Sequence, residues 1–344
     1  MMAPNLSPDQ PASGLVFPPV QFVAPVFLPG VLPVRSSRTF MNSIATAFNP
    51  GSAAELALPV GIGIDGGGSH CRAWVFNAKG QVLGQGQSGP ANPVGGLTES
   101  FAAITEAAMK ALLDAALPQH LLAQLPLAAG LAGLHLPQFY QQFQQWQHPF
   151  ASLHLTTDLQ IAAYGVHQQQ DGAVLILGTG FSALASVGSD RTELGGYGFP
   201  INCNASGSWF GLEAVKAVLL ARDGLAPATV LTELLPDAET SASLANQYLG
   251  QGPAVYARLA PLVLKAAFDG DVVAVRIRTE AVQFVETVVR RLLQVGAPKV
   301  GLVGGIAGQL VPLLDQSLPC SFVSNAGERG SWCFLAQQLA EVRA

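Results

Sequence analysis

Residues 60–70 read Val-Gly-Ile-Gly-Ile-Asp-Gly-Gly-Gly-Ser-His, and residues 71–76 continue as Cys-Arg-Ala-Trp-Val-Phe. Two apolar runs flank one acid and three consecutive glycines, which predicts a strand, a tight turn and a second strand. Glycines let the main chain approach a ligand closely and point its N–H groups at phosphates. Asp65 would repel phosphates unless a divalent cation lay between them, so we expect Mg²⁺ at Asp65. The alternative is a glycine-rich hairpin with a structural Asp.

The surrounding residues exclude two other phosphate-binding motifs. Residues 61–66 fit the dinucleotide pattern G-x-G-x-x-G, but that pattern needs a following helix and an acid about 20 residues later. A strand is predicted instead, and no Asp or Glu occurs between Asp65 and Glu99. No G-x-x-x-x-G-K-[ST] occurs in the chain, so a Walker loop does not hold ATP.

Composition narrows the class of protein. The chain has 344 residues, of which 49% are hydrophobic and 11% charged, and its net charge is -5. This length allows two domains, and the negative charge gives no case for nucleic acid as a partner. No uninterrupted apolar run of about 18 residues predicts a membrane span. The four cysteines are scattered without a C-x-x-C pair, so we expect free thiols and a cytoplasmic protein.

Residues 1–58 differ from the rest of the chain. Ten of the 24 prolines precede residue 60, and the first cation is Arg35. Proline spacing forbids regular helix, and the missing basic start argues against a secretory signal. We predict a disordered extension, for which Met41 offers an alternative initiator.

A weak internal repeat organises the chain from residue 59 onward. The interval from Asp65 to Gly84 nearly equals the interval from Leu177 to Gly195, and each unit reads strand, glycine turn, strand, turn. In the second unit we expect a charged turn at 188–191. Two such halves facing each other would aim both glycine turns at one cleft. We therefore predict an α/β fold with an N-terminal lobe at 59–167 and a C-terminal lobe at 168–328.

Helical spacing of apolar residues predicts the helices of both lobes. The expected helices lie at about 97–116, 137–147, 159–166, 206–222, 227–234, 240–248, 253–268, 272–296 and 329–341.

Asp158 follows a short predicted strand at 152–155 and opens a helix. Its side chain could cap the helix, helped by Thr156 and Thr157. It could also act as a general base, because open sheets place their ligands at the carboxyl ends of strands. The two roles do not exclude each other.

Three further places in the sequence could contact a substrate. Asn92 lies in a Gly/Pro loop and is either a turn residue or a partner for sugar hydroxyls. Gly304 and Gly305 either allow close approach of a ribose or flat ring, or form only a tight turn. Thr179, with the N–H groups around Gly178 and Gly180, could hold terminal phosphates.

Residues 65–69, 178–180 and 304–307, in this order, resemble the motifs of the actin-like ATPase and sugar-kinase superfamily. Residues 147–158 and 195–207 resemble, more specifically, the glucosamine and N-acetylglucosamine kinases of the BadF/BadG/BcrA/BcrD ATPase family. The match covers about 60–344.

The resemblance implies a duplicated, ribonuclease H-like fold with ATP and Mg²⁺ between two lobes. It implies Asp158 as the base for the 6-hydroxyl of an amino sugar, and sugar contacts from Asn92 and from the segment holding Cys203 and Asn204. The last helix, 329–344, would pack on the first lobe, and a homodimer is possible. The implied phosphate and adenosine contacts are Gly66, Gly67, Gly68, Ser69, Gly178, Thr179, Gly180, Gly304 and Gly305.

This chain departs from the family pattern at a few positions. Cys203 stands where an Asp is expected, and a thiol cannot pair with a protonated amine as a carboxylate does. Ser69, Phe181 and Asn325 replace the more usual Thr, Ser and Asp. An ATP-dependent amino-sugar kinase is the leading hypothesis. The alternatives are a non-catalytic nucleotide or sugar sensor, and an activator ATPase of acyl-CoA dehydratases, which would need paired cysteines for an iron–sulfur cluster.

Overall fold

The computed structural model describes residues 58–235 and 240–342. Apart from Leu58, the predicted extension at 1–58 lies outside these residues. Within them, no helix combines the length and the apolar composition that crossing a bilayer would need.

The first sheet has five strands in the order β3-β2-β1-β4-β5. Its strands are β1 (Pro59–Gly66), β2 (Cys71–Asn77), β3 (Val82–Ser88), β4 (Pro126–Leu131) and β5 (Ser152–Thr157). The first three form an antiparallel meander, and β4 and β5 add in parallel to β1. The glycine turn after β1 and the end of β5 therefore lie at the same edge of this sheet.

The second sheet repeats this arrangement in the order β8-β7-β6-β9-β10. Its strands are β6 (Gly172–Leu177), β7 (Phe181–Val187), β8 (Asp190–Gly195), β9 (Val300–Val303) and β10 (Cys320–Phe322). The meander and the two parallel additions recur in the same sequence. The predicted duplication and the predicted α/β fold are confirmed.

Within the described residues, helices connect and cover the two sheets. They are α1 (Leu97–Asp114), α2 (Pro137–Gln144), α3 (Asp158–His167), α4 (Gly207–Arg222), α5 (Leu231–Leu234), α6 (Ser241–Tyr248), α7 (Pro253–Ala257), α8 (Ala260–Phe268), α9 (Val272–Gln294), α10 (Ala307–Leu310) and α11 (Ala326–Val342).

Several predicted boundaries are wrong for identifiable reasons. The helix predicted at 253–268 is two helices, α7 and α8, because Pro261 lies in the first turn of α8 and has no N–H to continue a ladder. The helix predicted at 137–147 ends at Gln144, since Trp146 leaves the helix to stack on Phe101 at 4.3 Å between ring centroids. Only 231–234 of the helix predicted at 227–234 is helical.

Strand β8 corrects the prediction for the second unit. The charged turn predicted at 188–191 is shorter than expected: Gly188 and Ser189 form it, and Asp190 and Arg191 already pair with Val187 and Ser186 in the ladder. The third strand of this meander is therefore longer than its apolar residues indicated.

Each sheet has its own apolar core. The first packs β1, β2 and β4 against α1, with Ile62, Ile64, Ile104 and Leu127 fully buried. The second packs β6 and β7 against α4, α8 and α9 and is the larger of the two.

Two helices pack against each other and against both sheets. Helix α3 contacts β6 and β7, and α11 contacts β1 and β4. A Cβ on Gly165 of α3 would collide with the carbonyl of Ala326, and one on Gly330 of α11 would collide with the carbonyl of Ile161. These glycines let the two helix backbones touch, which fixes the distance between the halves.

Candidate active site

The first glycine turn is held from three sides by main-chain hydrogen bonds. The N–H of Gly67 donates to the carbonyl of His70 at 2.9 Å within the turn. The loop after β3 donates from Ala91 to Gly67 at 3.1 Å, and the loop after β4 donates from Ala132 to Gly66 at 2.8 Å. The turn therefore has a fixed shape without any ligand.

Asp65 is half-buried at the end of β1, between Arg72 and Gly130 on the neighbouring strands. Its carboxylate lies against the first turn of α11, where a Cβ on Gly327 would collide with it. Burial raises the pKa of Asp65, and the Arg72 charge counteracts part of that rise. A bound cation would stabilise the charged form of this carboxylate.

The second glycine turn follows β6 and is tied to the start of α4. The N–H of Gly207 donates to the carbonyl of Gly178 at 2.8 Å, and the N–H of Ser208 donates to that of Thr179 at 3.2 Å. The side chain of Ser206 caps α4 by accepting from the N–H of Trp209. The carbonyls of this turn are thus occupied by the helix.

The turn after β9 lies directly beside the second glycine turn. Gly304 has a φ of 105°, and a Cβ there would collide with the carbonyl of Leu177. In contrast, a Cβ on Gly178, Gly180 or Gly305 would have no protein atom within 4 Å. These three glycines border open space, which is the property of a backbone cradle for a ligand.

The two glycine turns meet across the halves of the molecule. The Ser69 and Thr179 hydroxyls are hydrogen-bonded at 2.6 Å, although 110 residues separate them. A Cβ on Gly68 would lie 3.7 Å from the Cβ of Thr179. The structure therefore brings together the two turns that the internal repeat predicted to share a cleft.

Asp158 is the first residue of α3 and not its cap. Thr157 caps the helix by accepting from the N–H of Gln160 at 3.2 Å. The alternative of Asp158 as the N-cap is therefore wrong. One carboxylate oxygen of Asp158 accepts from the N–H of Leu159 at 2.9 Å, which leaves the other oxygen of the carboxylate for a substrate.

The electrostatics of Asp158 suit a base. Its pKa is raised to about 7, chiefly by burial and then by the nearby charge of Asp65, with a smaller contribution from Glu193. A carboxyl with this pKa is substantially ionised at neutral pH and is basic enough to accept a proton.

Asn92 does cap a turn, as the simpler interpretation expected. Its Oδ1 accepts from the N–H of Val94 at 3.0 Å at the start of a 3-10 helix, Pro93–Gly95. A Cβ on Gly133 would lie 2.6 Å from that oxygen, so the loop after β4 packs closely on Asn92. Its amide nitrogen has no hydrogen-bond partner among the described residues, so a turn role and a sugar contact are compatible.

The side chain of Cys203 is buried and hydrogen-bonded within the protein, which differs from the sugar contact expected of it. Cys203 is 3% exposed, and its Sγ donates to the carbonyl of Pro200 at 3.7 Å. Burial raises its pKa, so the thiol is neutral. Asn204 is half-buried beside it and is the more accessible of the two predicted residues.

Glu193 is a site residue that sequence reasoning missed. It lies on β8 and is exposed, and its negative charge contributes to the raised pKa of Asp158 at the start of α3. The signal available in the sequence was its position directly before Leu194-Gly195, which ends the second repeat unit.

The side chains near the first glycine turn suit a Mg²⁺ ion that is coordinated mainly by substrate phosphates. Among the described residues no group of three or more His, Cys, Asp or Glu side chains forms a metal cage. Mg²⁺ commonly uses one or two carboxylates with substrate phosphates and water. Asp65, at the end of β1 directly before the first turn, matches that requirement.

Comparisons with known proteins agree with this geometry. The chain is 31% identical over 254 residues to the glucosamine kinase GspK of Vibrio cholerae, which covers 72% of this chain and 85% of that protein.

Solved structures give the same picture of the fold. A protein of Chromobacterium violaceum, provisionally assigned as an N-acetylglucosamine kinase, matches with a TM-score of 0.74 at 28% identity over 81% of this chain and 99% of its own. A similarly assigned protein of Porphyromonas gingivalis shares the fold, with a TM-score of 0.62 at 17% identity over 83% and 100% of the two chains.

The predicted actin-like fold and the prediction of an ATP-dependent kinase are confirmed by these relatives. The model of one family matches residues 62–319. The chain belongs to the BadF/BadG/BcrA/BcrD ATPase family.

Proposed function

We propose that this protein transfers the γ-phosphoryl group of ATP to the 6-hydroxyl of an amino sugar, glucosamine or N-acetylglucosamine. The observation that carries the proposal is the position of Asp158, a carboxyl that follows β5 at the same sheet edge as the first glycine turn, where that turn meets the second. A base of this kind beside a phosphate cradle is the requirement for phosphoryl transfer to an alcohol.

The proposed reaction balances within the site. Asp158 accepts the proton of the sugar hydroxyl, and the hydroxyl oxygen forms a bond to the γ-phosphorus. The bond from that phosphorus to the β,γ-bridging oxygen breaks, and ADP leaves with the electron pair. Phosphoryl transfer of this type depends mostly on positioning and on neutralising charge.

Both halves contribute proposed nucleotide contacts. Gly66, Gly67, Gly68 and Ser69 would line the phosphates from the first half, with the N–H of Gly67 donated to the carbonyl of His70. Gly178, Thr179 and Gly180 would line them from the second half, with the N–H of Gly178 donated to the carbonyl of Gly180, and Gly304 and Gly305 would admit the adenosine. Open space at Gly178, Gly180 and Gly305 supports this assignment.

Asp65 is the residue that would hold Mg²⁺. The ion, when bound, supplies positive charge against the phosphate oxygens. It would also relieve the repulsion between Asp65 and Asp158, which contributes to the raised pKa of Asp158.

The sugar is assigned to the first half, with Asn92 and Asp158 as contacts and Asn204 reaching in from the second. We assign residues 59–167 with the last helix to this lobe, because α11 packs on β1, β4 and α3. Residues 168–328 then form the nucleotide lobe. A cytoplasmic location and a homodimer stay predictions. The four free cysteines are compatible with a reducing compartment.

A sensor without turnover is the second candidate, favoured by the neutral, buried Cys203. An activator with an iron–sulfur cluster would need paired cysteines, whereas the four cysteines of this chain are widely scattered in the sequence.

The deciding experiment measures Mg²⁺-dependent ADP release with glucosamine, N-acetylglucosamine and glucose, for the wild type and for Asp158→Asn. Release with an amino sugar that the variant abolishes supports the kinase. ATP binding without release on any sugar would support the sensor.

A further inference from the structure

We propose that Glu193 binds the protonated amine of the acceptor and makes this chain selective for the free amino sugar over its N-acetylated form. The inference rests on the proposed kinase function. It assigns a specificity-determining residue, and with it a substrate class, to the same site.

Strand register places Glu193 on the face of the second sheet that α3 covers. Glu193 pairs with Leu184 of β7, and residues directly paired across antiparallel strands share a face. Leu184 packs in one buried cluster with Leu159 and Ala162 of α3. Glu193 therefore lies beside the first turn of α3, the turn that begins with Asp158.

The charge of Glu193 is available for a ligand. The side chain is exposed and has no hydrogen-bond or ion-pair partner among the described residues. Arg191, the neighbouring cation on the same face, is turned away, since its Nη1 donates to the carbonyls of Gly188 and Asp190. The charge of Glu193 also contributes to the raised pKa of Asp158, which agrees with the placement that the strand register gives.

The other groups proposed for the site are unsuited to an ammonium ion. Asp65 is assigned to the metal and phosphates, and Asp158 must accept the hydroxyl proton. The segment 202–204 offers two amides and a buried thiol. Glu193 is a carboxylate beside the first turn of α3 that has no other task in the proposed reaction.

A carboxylate here would discriminate between the two amino sugars by charge. A protonated amine can donate charge-assisted hydrogen bonds to Glu193, which are stronger than neutral ones. Acetylation removes that charge and leaves only a neutral amide N–H for the carboxylate. Glucose has neither group, so it provides the reference substrate for the rest of the site.

The test compares the wild type, Glu193→Gln and Glu193→Asp with glucosamine, N-acetylglucosamine and glucose. Gln keeps the shape of the side chain and removes its charge. We expect the KM for glucosamine to rise about 10- to 100-fold in E193Q with kcat within about twofold, because the contact is equally present before and during transfer. The KM for glucose should stay within about twofold, and E193D should retain part of the preference for glucosamine.

Asp190→Asn is the matched control, since it removes one exposed carboxylate from the other end of the same strand. It should leave all three KM values unchanged. An equal loss with every sugar, or a lower kcat with a changed Mg²⁺ requirement, would overturn the inference in favour of a metal or general electrostatic role. If the wild type phosphorylates glucosamine and E193Q matches it, the inference alone fails. If the wild type phosphorylates no sugar, both the proposed function and this inference fail.

Discussion

The two halves of this molecule share one topology and carry different chemistry. Each has a three-strand meander, two parallel strands and a helix after the fifth strand. In the first half the strand before the glycine turn ends near Asp65, and the helix after the fifth strand begins with Asp158. In the second half Leu177 ends the corresponding strand, and α11 begins with Ala326, directly after Asn325.

The difference separates the reactive groups from the cradle. The first half supplies the two carboxylates, and the second half supplies Gly178, Gly180 and Gly305, at each of which an added Cβ would meet no protein atom within 4 Å. The duplicated fold sets the position of each glycine turn, and the side chains around that turn determine the chemistry of its half. The predictions below change one half while leaving the matching place in the other as a control.

The largest effect is expected at the first residue of α3. Asp158→Asn removes the proposed base and should lower kcat about 10³-fold or more, while ATP binding stays within about twofold. In the second half, Asn325→Gly directly before α11 should alter kcat less than about threefold, because Asn325 has a φ of 56° that glycine adopts without strain. Steady-state ADP release measures both, and a near-normal kcat in D158N would remove Asp158 from the mechanism.

The pH dependence tests the raised pKa of the same carboxyl. Asp158 must be ionised to accept a proton, so kcat/KM should rise about tenfold per pH unit below about 7 and level off above it. Measurement of kcat/KM for ATP with Mg²⁺ from pH 5 to 9, which reports the enzyme before the nucleotide and metal bind, gives the profile. A flat profile over this range would contradict the assignment of Asp158 as the titrating base.

Stability should respond to pH in the opposite direction. Folding raises the pKa of Asp158 from 3.8 to about 7, so the folded protein binds this proton more tightly than the unfolded chain does. This contribution to stability is complete below 3.8 and is lost as pH rises through about 7. Asp158→Asn should therefore increase the free energy of unfolding at pH 8 by about 1–2 kcal/mol, measured by urea denaturation.

Two adjacent glycines of the second half have different surroundings: Gly305 borders open space, and Gly304 packs against the protein backbone. Gly305→Val extends into open space, so it should raise the KM for ATP about tenfold and leave the melting temperature unchanged. Gly304→Ala meets the Leu177 carbonyl at a positive φ and should cost about 2 kcal/mol of stability or more. Thermal melts and ATP titrations on both variants check this, and equal effects on both readouts would refute the distinction.

The smallest effect is expected where the halves touch. Ser69→Ala, Thr179→Val and the double variant should give a coupling energy of about 0.5–1.5 kcal/mol from the 2.6 Å hydrogen bond between the hydroxyls. ATP placed between the turns would separate them, so the coupling should fall when unfolding is measured with saturating ATP and Mg²⁺. A coupling unchanged by nucleotide would mean that the phosphates lie elsewhere.

Much of this arrangement could be predicted from the sequence, because glycine turns and strand periodicity are local signals. The spacing from Asp65 to Gly84 and its recurrence after Leu177 predicted the duplication that the two sheets confirm. The resemblance to a known family drew in addition on the order of the glycine motifs along the chain. Capping by Thr157 in place of Asp158 could not be read from the sequence, since either residue type serves as a cap.

The remaining features depend on contacts between distant segments. Burial of Cys203 and the nearness of Glu193 to Asp158 arise from packing between elements far apart in the chain. The backbone contacts of Gly165 and Gly330 hold α3 against α11, and nothing local marks those two glycines.

Calorimetric titration of ATP into Asp158→Asn and Gly305→Val, in the presence of Mg²⁺, tests the division of labour most directly. The account predicts wild-type ATP affinity in D158N, which does not turn over, and about tenfold weaker binding in G305V, which keeps its kcat at saturating ATP. Loss of ATP binding in D158N, with wild-type binding in G305V, would contradict the assignment of the base to the first half and the cradle to the second.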